Sequence, residues 1–392
     1  MELGRSWLKP ENLRRMLAVS TAAGSLALAG TAASSQRTAS LESVGFADNH
    51  IWLPYAGYTD GQPILDKVAV SAAQRDAEAG ATTIEVAEPY TQGGAQVDND
   101  TERLCSAALL AGKYHFDLVI RREMRYRSDA SLGYMPTTPN EYRQFFTNSY
   151  DMFANLYGEN GCVKDKPPTV YYSLDNEPNN KLFQRNQYVN GRWVAPENTL
   201  DFYAYEYPLL HKAANEFGID LKIIIGELDQ NLSLQFLKRA AQHRKGSGNP
   251  KLGDVYAQHY YVQKVGPQNK AVAINNMRRL MDAAKDAFGE MPFWVTELGG
   301  ISTVPSSKAS LYMPLSKNIS PMSPEQQADF YNYFLKQAAC LGIARVLLWH
   351  MVDDGTPQRT GLLYVDETKK PSFDKVTPTL QTITDERLAC ST

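Results

Sequence analysis

The chain has 392 residues, 43% of them hydrophobic and 21% charged, which suits a globular protein with a sizeable core. Forty Lys and Arg against 43 Asp and Glu leave a formal net charge of -3, and no long basic run is present. Nucleic acid and anionic membranes are therefore poor partners for it.

The first element in chain order is an export signal. Lys9, Arg14 and Arg15 precede a mildly apolar stretch, Met16 to Ala33, rich in Ala, Ser, Gly and Thr. Small residues at Ala27-Leu28-Ala29 and Thr31-Ala32-Ala33 offer cleavage sites. Residues 1–33 thus read as a signal peptide, general secretory or, from Arg14-Arg15, twin-arginine. They imply a secreted or periplasmic protein with no stable membrane insertion after signal removal. A short polar link, 34–40, leads into one domain, 41–392.

From there strand and helix patterns alternate. Val44 to Leu53 is the first strand and Ile64 to Ala79 the first helix. Thr82 to Ala87 is a strand, Thr101 to Ala111 a helix, Phe116 to Arg121 a strand and Pro139 to Tyr157 a helix. The second half repeats the scheme: strands at Thr169–Leu174, Leu221–Ile225, Asp254–His259, Pro292–Thr296 and Ala344–Trp349. Between and after them come helices at Leu200–Phe217, Leu232–His243, Ala273–Phe288, Pro324–Leu341 and Phe373–Ile383. Gly80, Gly112, Gly158, Gly218, Gly289 and Gly342 follow helical patterns as stop signals, and Ser323-Pro324-Glu325 is a helix start. Eight strand–helix units in strict alternation predict an α/β fold, a single (β/α)8 TIM barrel. An open doubly wound sheet is the competitor. It should carry a Gly-rich phosphate loop after its first strand, and none is seen.

Four cysteines, Cys105, Cys162, Cys340 and Cys390, allow three disulfide pairings in an exported protein. Cys340 with Cys390 is favoured, since both would follow late helices at one end of a barrel. Free buried thiols stay open for Cys105 and Cys162. None has metal-ligand spacing, and neither metal nor cofactor is expected.

Barrel strands should be apolar, so polar residues at their C-terminal ends need another explanation. The fourth strand ends Asp175-Asn176-Glu177-Pro178-Asn179, the sixth Gln258-His259-Tyr260-Tyr261, the seventh Thr296-Glu297-Leu298 and the eighth Trp349-His350. All would converge on one mouth. Glu88, Glu123, Glu227, Asp353 and Asp354 also stand near strand tips. Such residues either bind sugar hydroxyls or, more often, pair with Arg and Lys or cap the next helix.

Asn-Glu-Pro after the fourth strand and Thr-Glu on the seventh resemble the clan A glycoside hydrolases, over essentially the whole barrel by element order. The resemblance implies a retaining enzyme with Glu177 as general acid/base and Glu297 as nucleophile. Two carboxyl groups roughly 5 Å apart, one ionised and one protonated, are what such a double displacement needs. The resemblance further implies that Asn176 bonds the sugar 2-hydroxyl, that Tyr261 and His259 match a His-x-Tyr pattern beside the nucleophile, and that Trp349 is a stacking platform. Trp52 and Tyr90, ending strands one and two, could line the cleft. The sequence departs from the clan in lacking an Arg on the second strand; Arg121 or Arg122 on the third is the substitute.

The expected partner is an oligo- or polysaccharide. Segments Asn179 to Asn198 and Gly299 to Ser323 are long enough to wall an extended cleft, which favours endo action on a β-linked polysaccharide. An exo-acting glycosidase is the alternative. A non-catalytic carbohydrate-binding barrel, a metal-dependent barrel hydrolase and a purely structural protein are the rivals. The metal reading wants a His-x-His on the first strand, which has only His50.

Overall fold

A computed structural model of the chain describes residues 38–390, except 49, 52, 54–55, 60–61, 92–97, 126–134, 165–168, 181–187, 190–191, 194–195, 263–266, 316–318 and 386–387. The expected signal peptide and most of the polar link lie outside the described residues.

The fold is the expected closed barrel. Its strands are β1 Ser43–Ala47, β2 Thr83–Thr91, β3 Asp117–Arg125, β4 Val170–Ser173, β5 Leu221–Leu228, β6 Val255–Val262, β7 Phe293–Gly300 and β8 Arg345–Trp349. Each pairs in parallel with the next, and β8 closes on β1. The helices that follow them are α1 Lys67–Glu78, α2 Asp98–Tyr114, α3 Pro139–Tyr157, α4 Pro196–Phe217, α5 Ser233–Gly246, α6 Pro267–Phe288, α7 Pro324–Leu341 and α8 Pro371–Thr382. Among the described residues no helix is long and apolar enough to cross a membrane.

Local chemistry explains the boundaries. Thr138 and Ser323 form capping boxes with Glu141 and Gln326 at the starts of α3 and α7. Gly342 ends α7 with a left-handed φ of 81°. Gly112, expected as a stop, lies inside α2; the helix runs two residues further to Tyr114, and His115 takes the left-handed φ, 58°. The first strand is shorter than expected and ends at Ala47, because the Asp48 side chain accepts from the His50 N–H at 2.9 Å and turns the chain. Several other strands run further into the mouth than their apolar runs suggested. Among the described tips, Glu227, His259 and Glu297 are buried and meet through the His259 ring.

One apolar cluster fills the space between strands and helices, and a second, including Val119, Ile224, Ala257, Trp294 and Leu347, fills the barrel interior. Below it Arg345 closes the floor. Its guanidinium lies 4.5 Å from the Tyr171 ring centre and 4.6 Å from that of Trp294, and it donates to Asp117 at 2.5 Å and Thr83 at 2.9 Å.

All four cysteines are paired. Cys340–Cys390 is the favoured pairing; Cys105–Cys162 replaces the free-thiol alternative and ties α2 to the segment after α3. The bridges span 57 and 50 residues of sequence. Replacing Cys340 and Cys390 by Ser is expected to cost about 2–4 kcal/mol, mainly by freeing the unfolded chain, and to appear as a lowered melting temperature.

Candidate active site

The mouth is shaped by irregular pairing. The register slips between Ile225 and Leu228 on β5, at the β6–β7 pairing between Gln258 and His259, and between Val295 and Leu298 on β7. Such bulges re-aim side chains. They fall where Glu227, His259 and Glu297 stand. Glu177, just beyond β4, has φ 46°, and Glu227 has φ 42°. A left-handed backbone away from glycine costs about 1–3 kcal/mol and persists only where the surroundings enforce it. Here the Glu177 N–H donates to the Glu227 carbonyl at 3.0 Å, fastening one strained tip to the other.

The side chains meet. Glu297 accepts from the Arg121 guanidinium and from the Tyr261 hydroxyl. His259 Nδ1 lies 3.2 Å from Glu297 Oε2 and 3.0 Å from Glu177 Oε1. Asn180 Nδ2 donates to Glu177 Oε2 at 2.8 Å. One oxygen of Glu177, one of Glu297 and a His259 nitrogen all lie within 4.8 Å of one another.

Burial and charge push the two carboxyls apart. Burial is the largest influence on Glu177 and raises it above the usual carboxylate range, with the His259 bond pulling the other way. Burial pushes Glu297 upward too. The charges of His259 and Arg121 and the bonds from Tyr261 and Arg121 outweigh it and hold Glu297 below its usual range. Burial also opposes the charge on His259, but Glu297 and the bonds to Glu177 and Glu227 raise it well above an ordinary imidazole. Both ring nitrogens of His259 face carboxylate oxygens, Nδ1 as above and Nε2 toward Glu227 at 2.7 Å.

Of the residues singled out in the sequence, Asn176, Glu177, Tyr261, Glu297 and Trp349 line one cavity of about 410 Å³. Asn176 is buried, and its Oδ1 has no hydrogen-bond partner in the protein. A buried acceptor facing a cavity invites a ligand donor. Trp349 is half-buried, with the Arg121 guanidinium 5.2 Å from its ring centre and its Nε1 donating to Gln358 at 3.1 Å. His259 is fully buried and is not among the cavity-lining residues; it stands behind the two carboxylates. Trp52 and the side chain of Tyr90 lie outside the described residues.

Strand alternation separates the two candidate arginines. Arg121 points inward to Glu297 and, at 2.7 Å, to Glu85. Arg122 points to the helix side, pairs with Glu88 and sits 5.6 Å from the Phe145 ring centre. Asp353 pairs with Lys370 at 2.8 Å and accepts from Tyr312 at 2.9 Å, away from the cavity. Asn180 and Glu85 were not singled out in the sequence. The period-two reading of β2 and the third position after Glu177 are the signals that would have found them.

Gly299 lies opposite Tyr261 in the β6–β7 register. A Cβ there would come within 2.3 Å of the Tyr261 ring. Gly299→Ala is therefore expected to push the ring aside and loosen its hydroxyl from Glu297. The losses of kcat from Gly299→Ala and Tyr261→Phe should then fail to add in the double variant. Additive losses would show that Gly299 acts elsewhere.

No protein-family model and no curated protein matches the chain. Solved structures do match. A calcium-binding mutant of Bacteroides uniformis β-glucuronidase 2 superposes with TM-score 0.53 at 14% identity, over 86% of this chain and 34% of its own. A β-glucuronidase from an uncultured Clostridium sp. gives TM-score 0.53 at 12%, over 87% and 50%. Lactobacillus rhamnosus β-glucuronidase gives TM-score 0.52 at 15%, over 89% and 51%. The chain thus spans between a third and about half the length of these proteins. At such identities the likeness is one of fold: an α/β barrel shared with glycoside hydrolases.

Proposed function

We propose that the chain is a retaining O-glycoside hydrolase, with Glu177 as acid/base and Glu297 as nucleophile. The observation that carries this reading is the pair of buried carboxyls with oxygens within 4.8 Å, matching the roughly 5 Å of a double displacement rather than the wider gap that leaves room for a water. Their opposite displacement in acidity supports the division of roles. Glu297 attacks the anomeric carbon as Glu177 gives its proton to the leaving oxygen. Water then gives a proton to Glu177 and displaces the sugar from Glu297. Asn176, with its free acceptor in the cavity, is the residue for a sugar hydroxyl, and Trp349 is a face for a ring.

The lining favours a neutral glycan. Glu123, Asp229 and Glu297 outnumber Arg121 in it, and Asn176, Asn180, Asn231, Gln230 and Gln358 offer amides for hydroxyls. A second cavity of about 610 Å³ shares Gln230, Asn231 and Tyr261 with the first, so a bound chain has room to continue. This supports endo action on a β-linked polysaccharide. Exo action is the second reading, and the β-glucuronidase names of the fold neighbours favour it. The two disulfides suit the oxidising compartment that the export signal implies.

A panel of polysaccharides and aryl glycosides, with reducing ends, product lengths and anomeric configuration measured, tests the proposal. Internal cleavage with a retained anomer is expected. Single sugars released from chain ends would favour exo action. An inverted anomer, or binding without turnover across the panel, would defeat the proposal, and stoichiometric zinc in the active protein would favour the metal-dependent rival.

A further inference from the structure

Behind the two carboxylates stands a third that the reaction above does not use. Glu227 is fully buried at the bulge of β5 and follows Gly226, whose φ is 99°. Its Oε2 accepts from His259 Nε2 at 2.7 Å and from the Thr296 hydroxyl at 2.5 Å. The other nitrogen, Nδ1, faces both Glu177 Oε1 at 3.0 Å and Glu297 Oε2 at 3.2 Å. Three carboxyl groups on three strands therefore surround one imidazole.

We propose that Glu227 is a positioning residue: it clamps the Nε2–H of His259, so that a single Nδ1–H stays between Glu297 and Glu177 while the negative charge passes from one to the other and back. The proposal rests on the roles given to those two residues above. In the free enzyme Nδ1 hydrogen-bonds Glu177 Oε1 at 3.0 Å and lies 3.2 Å from Oε2 of Glu297, the carboxyl that is ionised at this stage. During glycosylation Glu177 gives its proton to the leaving oxygen as the C1–O bond breaks and the bond from Glu297 to C1 forms. Glu297 is then a neutral ester and Glu177 an anion, and Nδ1–H serves Glu177. When water gives its proton to Glu177 and its oxygen bonds C1, the ester electron pair returns to Glu297, whose charge again faces the ring. His259 neither gains nor loses a proton in either step. Its charge offsets whichever carboxylate is negative.

Other charged and titratable groups face this cluster. Glu85 on β2 and Arg121 on β3 lie within electrostatic reach of Glu227 and Glu297. Asp175 after β4 lies within reach of Glu227 and His259. Tyr256 on β6 and Tyr203 on α4 face Glu227, and Tyr261 faces Glu297. Asp229 faces Glu177, and His350 faces Glu297. Arg121 is the cation other than His259 that touches Glu297, and Glu85 already holds it. The balance on Glu297 and Glu177 is therefore sensitive to the charge of His259.

Glu227→Gln keeps an acceptor for Nε2–H and removes the anion. With the carboxylate gone, the imidazolium loses a charge partner, so the midpoint at which His259 gives up its proton is expected to fall by about one unit or more, a tenfold change in its protonation equilibrium, read by ring-nitrogen NMR of the variant against the unaltered protein. Above that midpoint the ring is neutral, so kcat/KM should show a loss with rising pH that the unaltered protein lacks. A midpoint that does not fall, or a profile without that added alkaline loss, overturns the proposal, whatever happens to kcat. If the variant does not fold, ring-nitrogen NMR of the unaltered protein decides, with the His259 signals assigned by their loss in His259→Asn. Both nitrogens should show imidazolium shifts at pH 7; a neutral tautomer there overturns the clamp. The NMR result needs no turnover, so it separates failure of the clamp from failure of the assigned catalytic roles.

Discussion

Glu297→Gln is expected to leave the protein folded and to reduce turnover about 100,000-fold or more, the scale on which enzymes of covalent mechanism lose a nucleophile. The amide has nearly the shape of the carboxylate, and its one oxygen can accept from Arg121 while its NH2 donates to the Tyr261 hydroxyl. It cannot form the glycosyl ester. The loss should be as large for activated aryl glycosides as for polysaccharides, because a better leaving group does not replace a missing attacker. Unchanged circular dichroism and melting behaviour would separate a chemical loss from a folding one. In the unaltered protein, a substrate with a fast leaving group and a slow second step should add one glycosyl mass to the peptide carrying Glu297. Retention of a tenth of the activity in the variant, or the adduct on another residue, would remove Glu297 from the role.

The second large effect is at Glu177. Glu177→Ala is expected to reduce turnover of natural glycans by up to about 10,000-fold, the upper range for general acid–base catalysis. Aryl glycosides with acidic phenols need no proton to depart, so their first step should be nearly spared. Their second step should stall for want of a base. Azide, small enough for the space left by the carboxyl and needing no deprotonation, should then restore turnover and release a glycosyl azide of retained configuration. An azide product of inverted configuration, or no rescue at any concentration, would place the acid/base elsewhere. The two substitutions thus fail in different ways, one indifferent to the leaving group and one governed by it.

Much of the fold was legible because its signals are local. Alternating apolar runs, capping residues and glycine stops each act within a few positions, and together they spelled eight units. Gly112 shows the limit: a glycine interrupts a helix only at a cost that packing can outweigh, and the buried face of α2 carries the helix past it. The strand tips show another. Polar residues such as Glu227 and Tyr261 look like loop in isolation, and the strands extend through them because neighbouring strands supply their partners, His259 and Glu297.

Motif order singled out Glu177 and Glu297, which the structure brings together, and little else of the proposed site was legible. Arg121 and Arg122 are adjacent, and only the direction each side chain faces distinguishes the one that reaches Glu297. His259 read as half of a His-x-Tyr pattern, yet its proposed role comes from Glu227 on a neighbouring strand, 32 positions away. Pairing of Cys105 with Cys162 was equally hidden, since it depends on where α2 and the end of α3 lie in space.

The barrel floor has a consequence for traffic. Under the proposed double displacement, with Arg345 packed between two aromatic rings at the base, the leaving fragment would withdraw through the same opening that admits the water for the second step. Departure would then precede hydrolysis, and a sugar hydroxyl waiting at that opening would compete with water for the anomeric carbon. Concentrated acceptor should divert material into longer or rearranged saccharides.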